Sequence, residues 1–170
     1  MTNIKPIFIP QSVEYCIIEA PFACLGLQTE LVQESLMISK IDYLPLGSVG
    51  LSPGNALAKV FENQCARYFI DAAFTFDLPL KPTGTAHQQK VWDAISGIKA
   101  GNTASYGEIA RGIQSGPRAV GWACGANPYP LVIPCHRVVS TQGIGGFMGE
   151  DNPGFYRQIK VWLLKHEGAI

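Results

Sequence analysis

Apolar positions change their spacing partway along the chain, and that change marks out its elements. Val13–Glu19 and Phe22–Thr29 are short apolar, partly β-branched runs with Ala20-Pro21 between them, which predicts a hairpin. Leu36–Leu44 alternates roughly as a third strand would. Leu46–Pro53 carries Gly47, Gly50 and the Ser52-Pro53 pair and reads as a loop. The spacing then becomes helical. Leu57, Val60, Phe61, Cys65, Tyr68 and Phe69 predict a helix over Ala56–Ile70, with Asn55 as its cap.

Leu78–Thr85 is rich in breakers and sets a domain boundary, with residues 1–83 before it and 84–170 after it. Thr85 followed by Gln88 has capping-box spacing, and Val91, Trp92, Ile95 and Ile98 form the apolar face of the helix it starts, which Gly101-Asn102 stops. Ser105–Ile113 predicts a short helix, Gln114-Ser115-Gly116 a turn, and Pro117 the first residue of another helix over Pro117–Gly125. Two short helices joined by a Gly-containing turn have the helix-turn-helix pattern. The second is rich in small residues: Ala119, Gly121, Ala123, Gly125 and Ala126. They fit close helix packing, or a backbone that must approach DNA closely with Arg118 as its one charged side chain. The fold class expected is α/β (α+β): a small sheet-and-helix domain, then a mostly helical one.

Composition narrows the classes. With 47% hydrophobic and 15% charged residues, the chain is globular rather than disordered. No apolar run approaches the ~20 residues of a membrane span, and Met1–Pro6 lacks a secretory pattern, so a cytoplasmic protein away from membranes is expected. Cys16, Cys24, Cys65, Cys124 and Cys135 are odd in number and form no C-x-x-C pair, which speaks against a disulfide framework or a zinc site; the first four read as small buried hydrophobes. Net charge is zero but uneven. Residues 1–83 hold five Lys/Arg and eight Asp/Glu, net −3; residues 84–170 hold eight and five, net +3. The basic half could meet phosphate with modest affinity.

The candidate chemistry lies at Cys135. Leu131–Pro134 leads into it as a short strand-like run and Val138-Val139 leads out, which puts the thiol at the edge of a core. A free thiol is only a few per cent ionised at neutral pH, and an imidazole able to take its proton raises that fraction. His136 is adjacent, yet neighbours in an extended segment point to opposite faces. The two can cooperate only if the chain turns between them, and spacing alone leaves that open.

Asn127-Pro128 with Ile133-Pro134-Cys135-His136-Arg137-Val138 resembles the active-site signature of the O6-alkylguanine-DNA alkyltransferases, the methylated-DNA–protein-cysteine methyltransferases. Gly84-Thr85, Gln89–Trp92, Ser105–Ala110, Pro117–Gly121 and Trp162–Gly168 resemble further family blocks in family order, so the likeness covers essentially all of residues 84–170. The resemblance implies direct-reversal DNA repair by a single-turnover methyltransferase that needs no cofactor and no metal. It implies a monomer acting on double-stranded DNA that contains O6-alkylguanine, with a ribonuclease H-like domain over residues 1–83.

It also implies roles. Cys135 accepts the alkyl group, His136 acts as its base through a water, Glu167 orients His136, and Asn127 holds the turn. Tyr106, Val138 and Met148 meet the flipped guanine. Arg118, Ala119 and Gly121 meet DNA, Arg118 filling the space the base vacates. Arg137 is structural.

Three departures stand out. Phe147-Met148-Gly149 occupies a place where the family usually has an aromatic, Ser and Gly, and Met148 cannot donate the serine's hydrogen bond; Gly149–Gln158 is also longer than usual. His87 replaces a common Phe and reads as a packing variation. An alternative is an alkyltransferase-like protein that binds lesions without removing the alkyl group, although such relatives replace the acceptor cysteine. A Cys-His hydrolase of unrelated fold is a third reading.

Overall fold

The computed structural model describes residues 13–170. Its first part is an antiparallel meander of β1 (Val13–Glu19), β2 (Cys24–Val32) and β3 (Ser35–Leu44), followed by helix α1 (Ala56–Ile70). Strand β2 starts two residues later than the apolar run suggests. Ala20 N–H bonds Ala23 O at 2.9 Å, closing a tight turn that takes Phe22 out of the strand and sets its ring 4.7 Å from that of Trp162. Cys24, Leu25 and Leu27 are all buried because β2 is the central strand. Asn55 caps α1 as expected: its Oδ1 accepts from Ala58 N–H at 2.8 Å.

The second part contains α2 (Ala86–Ser96), β4 (Ala104–Ser105), α3 (Tyr106–Gly112), α4 (Pro117–Gly125), a 3-10 turn at Cys135–Arg137, β5 (Val138–Val139) and α5 (Phe155–His166). Thr85 and Gln88 form the expected capping box, a device worth about 1 kcal/mol at a helix start. Helix α2 ends at Gly97 rather than at Gly101-Asn102, while Ile98 continues to pack on the core. β4 and β5 pair in parallel, Ala104 opposite Val138. Leu131–Pro134 is not strand-like, in contrast to the sequence expectation. Leu131 takes a left-handed φ of 75° and Ile133 N–H bonds back to Tyr129 O at 2.8 Å. This segment buries Leu131 and Ile133 by coiling, not by pairing.

The breaker-rich stretch after α1 does more than connect. Ile38 N–H bonds Pro79 O and Lys81 N–H bonds Ile38 O, both at 2.8 Å, so Leu80 runs parallel beside β3. Ile41 N–H reaches Pro128 O at 2.9 Å, and Tyr129 Oη–H donates to Lys81 O. One hydrophobic core accordingly runs through both parts, from Leu27 and Phe61 to Ile95, Val120 and Leu163. Among the described residues no helix is long and apolar enough to cross a membrane.

Gly84 marks the start of the second part with φ +87°, and a Cβ there would sit 2.6 Å from the Trp92 ring, which is buried. Left-handed backbone and a rigid neighbour act together against any side chain. Gly84→Ala is expected to destabilise the fold by about 2 kcal/mol, read from the shift in a urea unfolding midpoint; an unchanged midpoint would contradict the tight approach of Trp92.

Candidate active site

Helices α3 and α4 form the expected helix-turn-helix. Ser105 caps α3 through a capping box with Glu108, whose carboxylate accepts from Ser105 N–H at 2.7 Å. Gln114 turns the chain with φ 57°, and Pro117 opens α4, where its missing N–H is harmless. The small residues of α4 serve packing on one side. Ala123 is buried and its carbonyl accepts from Trp92 Nε1–H at 2.9 Å. Arg118 projects into solvent from the other side.

The chain does turn between Cys135 and His136. Cys135, His136 and Arg137 follow each other around one tight turn, so they do not alternate as they would in a strand. Cys135 N–H bonds Ile133 O at 2.8 Å and Arg137 N–H bonds Pro134 O at 3.0 Å. Asn127, itself buried, ties the turn together. Its Nδ2 donates to Ile133 O at 2.9 Å and to Cys135 Sγ at 3.2 Å, and its Oδ1 accepts from Tyr129 N–H at 2.9 Å.

Behind the thiol lies a buried charge network centred on Glu167, the residue that closes α5. Its carboxylate accepts from His136 Nε2 at 2.9 Å, from Arg137 Nε and Nη2 at 2.9 and 2.8 Å, and from Tyr68 Oη–H at 2.7 Å. Burial alone would raise the Glu167 pKa, but the hydrogen bonds from His136 and Arg137 outweigh it and hold it at about 2. Glu167 is thus ionised at neutral pH. Facing that carboxylate, His136 Nε2 carries the ring proton. Burial pushes the His136 pKa down against the pull of Glu167, so the ring is neutral and Nδ1 has a free lone pair. Nδ1 is buried without a protein partner. Arg137 anchors the turn as expected, its Nη1 also donating to Ile98 O.

Cys135 is 2% exposed. Burial raises its pKa, opposed by the Asn127 hydrogen bond and then by the charge of Lys160. It rests as a thiol. Its side chain lines a cavity of about 540 Å³ whose rim includes Arg118, Gly121 and Trp122 of α4, with Tyr106 and Met148 among its walls. Burial raises the Tyr106 pKa, which keeps its hydroxyl protonated; it donates to Gly146 O at 3.3 Å. Met148 sits in a left-handed turn with Gly149 (φ 53° and 79°), closed by Phe147 N–H to Glu150 O at 2.9 Å. Gly125 allows this wall to approach α4, since a Cβ there would lie 3.2 Å from Gly149 Cα.

Cys135, Tyr106, Met148, Arg118 and Gly121 thus share the cavity. Asn127, His136 and Glu167 stand behind its floor, and neither Val138 nor Ala119 lines it. The Val138 carbonyl instead accepts from Lys160 Nζ at 2.6 Å. His87 Nε2 contacts Ser115 Oγ at 2.8 Å, tying α2 to the turn between α3 and α4. Cys16, Cys24, Cys65 and Cys124 are free and buried.

The sequence reading missed Lys160, Tyr68 and Trp122. Lys160 is fully buried; it bonds Val138 O and, at 2.8 Å, Gly146 O, bridging the segment after the thiol to the pocket wall, and burial lowers its pKa to about 8. Its signal was a charged residue on the apolar stripe of α5, between Ile159 and Leu163. Tyr68 passed as one more apolar member of α1.

The chain is similar to several known proteins. The family model for the DNA-binding domain of 6-O-methylguanine DNA methyltransferase matches residues 86–169. A methylated-DNA–protein-cysteine methyltransferase of Methanosarcina mazei is 46% identical over 62% of this chain and 65% of its own length. One from Mycolicibacterium paratuberculosis is 36% identical over 77% and 81%. A DNA base-flipping protein of Thermus thermophilus is 34% identical over 76% and 92%. Mycobacterium tuberculosis OGT, solved in complex with DNA, superposes with a TM-score of 0.71 at 34% identity, covering 91% of this chain and 92% of that one. The match spans just under two thirds of the M. mazei protein and more of the others. Fold and site define the class as a helix-turn-helix protein with a thiol set into its cavity. The chain belongs to the methylated-DNA–protein-cysteine methyltransferase family.

The Glu167 network makes stability depend on acid. The folded carboxyl titrates below its ordinary value of 4.5, so its contribution is fully present above about pH 4.5 and is lost as pH falls through about 2. The depressed His136 pKa acts in the same direction, starting below its ordinary 6.5. Glu167→Gln is expected to lower stability at pH 7 and flatten its loss between pH 4.5 and 2, measured by urea unfolding at stepped pH. A parallel offset at all pH values would show that Glu167 is not the titrating group.

Proposed function

We propose that this protein repairs DNA by direct reversal, moving an alkyl group from O6-alkylguanine irreversibly onto its own Cys135. The observation that carries the reading is the buried Cys135 thiol, followed in the chain by a buried His–Glu pair, in a cavity that opens beside the second helix of a helix-turn-helix. In duplex DNA the O6-alkyl group lies inside the base stack, so the nucleotide must rotate out, at a cost of a few kcal/mol. Arg118 enters the gap and offsets part of that cost. Gly121 and Ala119 let the helix backbone lie close to the minor groove. The rotated guanine enters between Tyr106 and Met148, with the Val138 segment held behind by Lys160.

The chemical step is an in-line displacement. His136 Nδ1 takes the thiol proton through an intervening water, and Glu167 stabilises the imidazolium that results. The ammonium of Lys160 favours the thiolate as it forms. Sulfur attacks the alkyl carbon, the carbon–O6 bond breaks, and its electron pair stays with guanine. Tyr106 donates toward the leaving base, and guanine regains one proton, so the thiol proton is the only one moved overall. The product thioether offers no bond that a base in this site can hydrolyse. Each molecule therefore acts once, without a cofactor, as a methylated-DNA–protein-cysteine S-methyltransferase.

We place the partner as double-stranded DNA bearing the lesion and the acting form as a cytoplasmic monomer. Residues 84–170 carry binding and transfer, and residues 1–83, a ribonuclease H-like domain, support them through Tyr68. The DNA complex of the M. tuberculosis relative supports the partner. A second reading, lesion binding without transfer, is favoured by the relative named for base flipping and opposed by Cys135 with its full set of partners.

Incubation with DNA containing O6-methylguanine is expected to add one methyl mass per protein, at Cys135, with product reaching a plateau at one equivalent. No adduct on folded protein that still binds the DNA would favour the second reading, and turnover beyond one equivalent a hydrolase. Cys135→Ala should keep DNA binding and lose transfer. Arg118→Ala should slow transfer from duplex DNA about tenfold or more relative to transfer from the free base, within the cost of holding a base out of the stack; equal slowing on both substrates would remove Arg118 from the gap-filling role.

A further inference from the structure

Trp122 is unused by the reading above. Its indole is 74% exposed, and among the described residues no other large hydrophobic between Asp71 and Ala169 is comparably exposed. It stands four residues after Arg118 on α4, a spacing that puts the two side chains on one helix face. Both also line the rim of the cavity that ends on Cys135. The other two indoles are committed elsewhere. Trp92 is buried and bonded to Ala123 O, and Trp162 stacks on His166 at 4.9 Å. The α4 residues that share the rim with it, Arg118, Gly121 and Gly125, include no other large hydrophobic, so Trp122 is a single exposed ring, unlike the broad apolar patches that mark protein docking sites.

We propose that Trp122 is a stacking platform for DNA, forming with Arg118 a two-residue wedge. The inference rests on the base-rotation reading of α4. Rotating a nucleotide out of a duplex uncovers the faces of the bases that flank the gap. A guanidinium fills volume and meets phosphate or base edges, whereas an indole covers a base face and recovers stacking that the rotation cost. Stacking of this kind tolerates any sequence, which suits a protein that must act wherever a lesion occurs. The net charge of +3 on residues 84–170 and the continuity of the ring with the cavity rim select DNA as the occupant over a second copy of the chain.

The test compares the parent protein, Trp122→Ala and Trp122→Phe on three substrates: a duplex with a stable abasic site, the same duplex undamaged, and a duplex with O6-methylguanine. Trp122→Ala is expected to weaken binding to the abasic duplex about tenfold and undamaged duplex less, with Trp122→Phe recovering most of the loss. The ratio of transfer rates from duplex and from free O6-alkylguanine should fall by a similar factor in the alanine variant. Equal affinity of parent and Trp122→Ala for the abasic duplex would overturn the proposal. So would an unchanged rate ratio, or a concentration-dependent dimer of the parent that Trp122→Ala dissolves. Should the parent bind the abasic duplex through Trp122 yet transfer no methyl group, the transfer reading fails and the wedge stands.

Discussion

Cys135 owes its setting to a carboxylate that does not touch it. Glu167, at the end of α5, gathers hydrogen bonds from two segments far apart in sequence: Tyr68 on α1, and His136 and Arg137 on the reactive turn. A buried charge with these partners cannot be moved without leaving donors unsatisfied, and each orphan costs on the order of 1–3 kcal/mol. The network therefore fixes the His136 tautomer and leaves Nδ1 as the ring nitrogen without a protein partner. It fixes the Arg137 guanidinium against Ile98 O and so locks the turn that carries Cys135 and His136.

A second cation, Lys160, does for the pocket wall what Glu167 does for the floor. Its two carbonyl bonds join the chain leaving Cys135 to the Gly146 loop. Burial that raises the thiol pKa also lowers that of the lysine, and each charge eases the other's desolvation. The resting protein consequently holds a protonated, enclosed sulfur.

Much of this was legible in the sequence where local physics decides. Asn55, Thr85 and Ser105 announce helix starts because a cap needs only its own next three residues, and Pro117 with Gly125 frames α4 for similar reasons. Asn127, Cys135, His136 and Glu167 were legible through their family pattern. What stayed hidden depends on distant partners. Leu131–Pro134 has the composition of a strand, yet Asn127 and Tyr129 bend it into turns. The Gln33-Glu34 turn between β2 and β3 takes two left-handed residues (φ 47° and 66°) without the Gly or Asn that usually signals one. Lys160 and Tyr68 look like interruptions or members of apolar stripes until the groups they bond are in place. Val138 is in the core, and its carbonyl is taken by Lys160.

The bond from Tyr68 to Glu167 has a meaning for how the molecule comes apart. It links the first sheet-and-helix unit to the charge network under the thiol, while Pro128 stitches the same two units at β3. If the first unit opened by itself, the carboxylate would lose a donor and the shared core its cover. Partial opening is thereby penalised, which couples the two units. The first sheet-and-helix unit acts as a conformational guarantor: the network under Cys135 is complete only while Tyr68 is in place.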